Sequence, residues 1–81
     1  MKIKVLFFGL CRESINRSEH YLELTPHATV STAFAALTNE FPSLSHFGNS
    51  LLFAVNEEHC AGSQKLADGD VLAIFPPVSG G

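Results

Sequence analysis

Positive charge is scarce in this sequence: five Lys and Arg stand against eight Asp and Glu, a net charge of −3 over 81 residues. Binding to a phosphate backbone needs a cationic footprint. The cations here are scattered, with Lys2, Lys4, Arg12 and Arg17 early and Lys65 alone later. The sequence therefore argues against nucleic acid and against an anionic membrane surface as partners. Long hydrophobic runs are missing too. The apolar stretch from Val5 to Cys11 is too short to span a bilayer and lacks a small-residue cleavage site, so the expected location is cytoplasmic. Cys11 and Cys60 are the two cysteines, too few for the disulfide framework of a small secreted domain, and both are expected as reduced thiols. Of the four histidines, His20, His27, His46 and His59, none lies three or four residues from another His or Cys, and His59 and Cys60 are merely adjacent. No metal site is expected from that spacing.

What is present suits one small domain. Hydrophobic residues make up 46% of the chain and charged residues 16%, a balance that supports a packed core. From Lys2 to Phe8 the β-formers alternate, putting Ile3, Val5 and Phe7 on one face and Lys2, Lys4, Leu6 and Phe8 on the other. The stretch to Ser18 reads as a loop with one helical turn near Arg12 to Asn16. A second strand follows at about His20 to Leu24, ended by Thr25-Pro26. Thr29 is a fitting helix cap. After it Val30, Ala33, Phe34, Leu37 and Phe41 recur at helical spacing until Pro42 stops the pattern. Ser43 to Ser50 reads as a connecting loop, Leu51 to Val55 as a strand, and Asn56-Glu57-Glu58 as a turn into a short strand near His59 to Ala61. Gly69 marks another turn, and Val71 to Phe75 is the last strand. The order predicts an α+β layer: a mixed sheet of four or five strands with one main helix packed on one face. Residues 1–75 form that domain and residues 76–81 an extended tail.

The tail carries the strongest signal. After Asp70 no charged side chain appears, and the chain runs Val-Leu-Ala-Ile-Phe-Pro-Pro-Val-Ser-Gly-Gly. A strand leading into Pro76-Pro77 and then Gly80-Gly81 makes an arm that thins to bare backbone. Such an end can enter a channel that admits only main chain, and it is equally the composition of a frayed terminus. A carboxylate is a poor acyl donor, and adenylation by ATP would give it a good leaving group for attack by sulfur or an amine. Strand parity adds a second feature. If Leu72 and Ile74 face the core, Phe75 points outward beside the arm, as Phe8 does. Two outward phenylalanines there make an apolar patch of the kind that marks a partner surface; packing of Phe8 under a loop, or of Phe75 over the core, is the alternative.

Phe7-Phe8-Gly9 with Arg12-Glu13, Ala54-Val55-Asn56, Leu66 with Asp68-Gly69-Asp70, and the ending Phe75-Pro76-Pro77-Val78-Ser79-Gly80-Gly81 together resemble the small subunits of molybdopterin synthases, a family of ubiquitin-like sulfur carriers. The resemblance spans essentially the whole chain, and its ending is the specific part. It implies a ubiquitin-like β-grasp fold. It also implies that a ubiquitin-activating-like adenylating enzyme uses ATP on the carboxylate of Gly81, that sulfur replaces one oxygen, and that the thiocarboxylate serves the large catalytic subunit in making the molybdopterin dithiolene from cyclic pyranopterin monophosphate. By the same resemblance Phe8, Phe75, Pro76, Pro77, Val78, Ser79 and Gly80 meet the partner, the chain binds no cofactor of its own, and two small subunits flank a dimer of large ones. No spacing of Ser, His and Cys suggests a self-contained active site. His59-Cys60 and the Gly62 to Gln64 segment match no part of the pattern. A lone Cys60 has no nearby cation to make it a sulfur relay. A carrier for another pathway, such as thiazole synthesis, and a protein modifier joined through Gly81 are the alternatives.

Overall fold

The computed structural model describes residues 1–48 and 50–77. Strand β1 (Lys2–Phe7) is followed by α1 (Gly9–Ile15), β2 (Glu19–Glu23), α2 (Val30–Glu40), a 3-10 segment at Pro42–Phe47, β3 (Leu52–Val55), β4 (Glu58–Cys60) and β5 (Val71–Phe75). The strands make one five-stranded sheet in the order β2-β1-β5-β3-β4. Central β1 and β5 are parallel and the other pairings antiparallel. This is the mixed sheet with one main helix that the order of elements predicts.

Alternation in β1 and β5 builds the core. Ile3, Val5, Phe7, Leu72 and Ile74 are buried together with Val30, Ala33 and Leu37 of α2. Each large side chain so covered contributes ~1.5–3 kcal/mol. Phe41 meets Phe7 edge to face at 6.0 Å, and Phe34 meets Phe53 at 5.4 Å, so the half-buried aromatics of α2 and of its C-terminal cap flank the same layer. The Thr29 hydroxyl accepts from the Thr32 amide at 3.3 Å, the expected cap.

Two stretches read as loops are ordered differently. The expected single turn near Arg12 is a seven-residue helix from Gly9, because Cys11 is fully buried and Ile15, one turn on, packs on the core. The expected loop after Pro42 is a 3-10 segment, because Leu44 is buried and Phe47, one 3-10 turn later, packs beside it. Strand limits differ from the sequence reading by one residue at several ends. The β3–β4 turn is the instructive case: Asn56 and Glu57 both take positive φ, 50° and 72°, the two-residue hairpin geometry. Glu58 therefore pairs with Val55 inside the ladder instead of belonging to the turn.

The motif residues of the middle turn out to tie strands together. The Asn56 side chain donates to Asp70 Oδ1 at 2.9 Å and accepts from the Val71 amide at 3.0 Å, while Asp70 Oδ2 accepts from the Ala67 amide at 2.8 Å. Asp68 Oδ1 accepts from the Lys2 amide at 2.7 Å, and Gly69, at φ +86°, donates its amide to the Lys2 carbonyl at 2.8 Å. The unmatched segment has a structural role as well. The carbonyls of Gly62 and Gln64 accept from the Ser31 and Val30 amides, each at 2.9 Å, and so satisfy donors that the first turn of α2 leaves open. A side chain at position 62 would run into Ser31 Oγ.

Candidate functional site

Helix α2 closes one face of the sheet, and the opposite face is open. Parity sends Leu6 of β1, Val71, Ala73 and Phe75 of β5, and Ala54 and Leu52 of β3 to that open face, and cross-strand partners share a face. Ala54 stands opposite Ala73, Ala73 beside Leu6, and His59 of β4 opposite Ala54. Small side chains at the centre, with larger ones around them, leave a shallow depression of about 590 Å³.

At the end of the depression where β5 leaves the sheet, Phe8 and Phe75 stack with ring centroids 4.8 Å apart and planes 9° from parallel. Such a pair contributes ~0.5–1.5 kcal/mol beyond the area it covers. Its geometry comes from the backbone: the Phe8 amide donates to the Ile74 carbonyl at 3.1 Å, extending the parallel ladder one step past β1. The next residue, Gly9, turns the chain into α1 at φ +56°, and Pro76 packs where a Cβ of residue 9 would be, 3.0 Å from Pro76 Cγ. The arm thus leaves the sheet against a glycine. Leu10 and Leu52 are exposed on either side. An apolar surface consequently runs from the Ala54/Ala73 floor past Phe8 and Phe75 to Pro76 and Pro77.

Glu13 and Glu57 are the charged side chains that line this surface. The cations of the open face lie at its far end, where Lys4 meets Glu19 at 3.3 Å and Lys2 sits 5.0 Å over the Tyr21 ring. Cys60 pairs with Phe53, so its side chain is on the core side, away from Phe75. Burial pushes its thiol up from the ordinary value, outweighing a backbone hydrogen bond at Val55 that lowers it, and the thiolate a sulfur relay requires is disfavoured. Cys11 is raised by burial too, and both thiols are free. Among the described residues no group of three or more His, Cys, Asp or Glu is arranged to hold a metal ion, and no helix is long and apolar enough to cross a membrane.

Of the residues singled out from the sequence, Phe8, Phe75, Pro76 and Pro77 come together at the root of the arm. Val78, Ser79, Gly80 and Gly81 lie outside the described residues. Leu10, Leu52 and His59 extend the same surface without having been picked out. The signal for Leu52 was absent because Leu-Phe-Ala-Val is apolar on both faces. For His59 it was absent as well, because the register that puts it opposite Ala54 is fixed by two successive residues in αL between β3 and β4.

A family model described as the ThiS family matches residues 5–81. A protein of Chlamydomonas reinhardtii named "Molybdopterin synthase sulfur carrier subunit" is 37% identical over 83 residues, covering 100% of both chains. One of the same name from Arabidopsis thaliana is 35% identical, covering 100% of this chain and 84% of that one. Among solved structures, SAMP1 from Haloferax volcanii, the small archaeal modifier protein 1, superposes with a TM-score of 0.90 at 29% identity over 100% of both chains. A chain from the complex of subunits 1 and 2 of the molybdopterin-converting factor of Helicobacter pylori superposes with a TM-score of 0.72 at 26% identity, again over 100% of each. The fold is the ubiquitin-like β-grasp that these neighbours share.

Proposed function

The chain belongs to the ThiS family, alongside the molybdopterin synthase sulfur carrier subunits, and from that premise we propose that it is the sulfur-carrying small subunit of a molybdopterin synthase. An adenylating enzyme joins the Gly81 carboxylate to AMP from ATP, releasing pyrophosphate. A sulfur nucleophile displaces AMP and leaves a thiocarboxylate. The open sheet face docks on the large subunit, which holds the catalytic groups, and Pro76 to Gly80 lead the thiocarboxylate into its pocket. There the sulfur attacks cyclic pyranopterin monophosphate, and hydrolysis of the acyl group returns Gly81 to a carboxylate. Two transfers supply the two sulfurs of the dithiolene. The observation that carries this reading is the stacked Phe8–Phe75 pair at the root of the arm, an exposed apolar surface continuous with a chain end that the family match extends to. The large-subunit partner is further supported by the neighbour from a two-subunit complex.

The likeness to SAMP1 favours a second reading, in which Gly81 is joined to protein amines. Intact mass decides the chemistry. After incubation with adenylating enzyme, ATP and a sulfur source, the full chain gains the mass of one oxygen replaced by sulfur, and the chain lacking Gly81 gains nothing. Retained sulfur transfer by the shortened chain overturns the proposal; a ladder of conjugates in place of transfer to the pyranopterin moves the assignment to the modifier.

A further inference from the structure

We propose that His59 selects the partner of the open sheet face by requiring a neutral hydrogen-bond acceptor opposite its imidazole, an inference that rests on the large subunit docking there. Most polar groups around the depression are already satisfied or stay wet. Asn56 uses both ends of its amide within the chain. Glu57 sits in the β3–β4 turn at the rim and is exposed, where water keeps access to it. His59 is different. It is held in the ladder opposite Ala54, its ring lies 6.1 Å from that of Phe75, and it lines both the depression and the strip beside Leu52 and Pro76. Among the described residues His20 has both ring nitrogens engaged, whereas the imidazole of His59 makes no hydrogen bond to any of them.

A large subunit that covers the Phe8–Phe75 stack covers His59 with it. Every protonation state of imidazole carries at least one N–H, and a partner apolar at that point leaves this donor dry and unpaired. The cost falls on the complex alone, which makes the position a discriminator between partners. The acceptor's charge follows from the surroundings. Glu13 and Glu57 are the charged side chains lining the surface, so a carboxylate brought up to His59 would meet two carboxylates of its own sign. A main-chain carbonyl, a side-chain amide or a hydroxyl oxygen accepts without that repulsion.

The test is calorimetric titration of the full chain with the molybdopterin synthase large subunit of the same organism, comparing the unaltered chain, His59→Phe and His59→Gln at pH 8 and pH 6. His59→Phe is expected to bind about 10- to 100-fold more weakly although it is more apolar, because it leaves the partner's acceptor unpaired. His59→Gln, which keeps an N–H donor at similar reach, stays within about threefold. Both variants keep the thermal midpoint of the unaltered chain, since residue 59 is exposed. Equal or tighter binding by His59→Phe overturns the inference and leaves the docking of the face intact, and so does an equal loss in the two variants. Tightening on acidification that disappears in His59→Phe points to a carboxylate and overturns the neutral acceptor. Failure of the unaltered chain to bind overturns the docking reading, and this inference with it.

Discussion

Strand β5 has two faces that were built for different purposes. Leu72 and Ile74 point down, are fully buried, and are large and branched; Val71, Ala73 and Phe75 point up, are partly covered at most, and alternate small with large. The lower face is covered within the same chain, in one buried cluster with Val30, Ala33 and Leu37 of α2. The upper face has an alanine floor shared with Ala54 and an aromatic wall at one end, a shape left open by the described residues. Apolar side chains are therefore common to both faces, and what separates stability from recognition is whether a covering element belongs to the chain.

That contrast is broken most sharply from below. Leu37→Ala removes a fully buried side chain from α2 and is expected to cost ~2–5 kcal/mol of unfolding free energy, read by urea denaturation. A loss under ~1 kcal/mol would mean that the core repacks and that the two faces are less distinct than their burial implies. From above the effect moves to another observable. Phe75→Ala is expected to weaken binding to the large subunit by ~1–3 kcal/mol while shifting the unfolding midpoint far less than Leu37→Ala does; unchanged affinity would remove Phe75 from the docking surface.

Asn56→Ala sharpens the contrast by crossing it. Asn56 lines the open depression, yet its amide is spent on Asp70 and Val71. Its loss should cost ~1–2 kcal/mol of stability and leave affinity for the large subunit unchanged. A selective loss of affinity would place this motif residue in the interface instead of the scaffold.

The same division explains what could be read from the sequence. Ile3/Val5/Phe7 and Val30/Ala33/Leu37 announced themselves because one-sided burial imposes a period, and the outward turn of Phe8 and Phe75 followed from parity alone. Helix α1 showed only as a single turn and the 3-10 segment not at all, because each has one fully buried residue, Cys11 or Leu44, and one half-buried neighbour, Ile15 or Phe47, and two positions are too few to establish a period. Ala-Val-Asn and Asp-Gly-Asp were visible as motifs but not as partners: fifteen residues separate Asn56 from Val71, and the bond between them exists only once β3 lies beside β5. His59 was legible as a residue and illegible as a site, since its place opposite Ala54 depends on two successive αL residues.

The smallest expected effect concerns the two thiols, which lie on the closed side of the comparison. Burial raises both Cys11 and Cys60, so the folded chain holds their protons at a pH where the unfolded chain releases them. The stability this contributes is whole below the ordinary thiol pKa of about 8.5 and is lost as pH rises through the raised native values. Cys11→Ala should accordingly flatten the alkaline fall of the unfolding midpoint between pH 8 and pH 10. Alkylation by iodoacetamide at pH 7 should be slow at both sites, with half-buried Cys60 reacting before fully buried Cys11. Rapid labelling of Cys60 at that pH would mean a thiolate is present. With its side chain packed toward Phe53 beneath the sheet, Cys60 would then need β4 to open before any partner docked above could reach it.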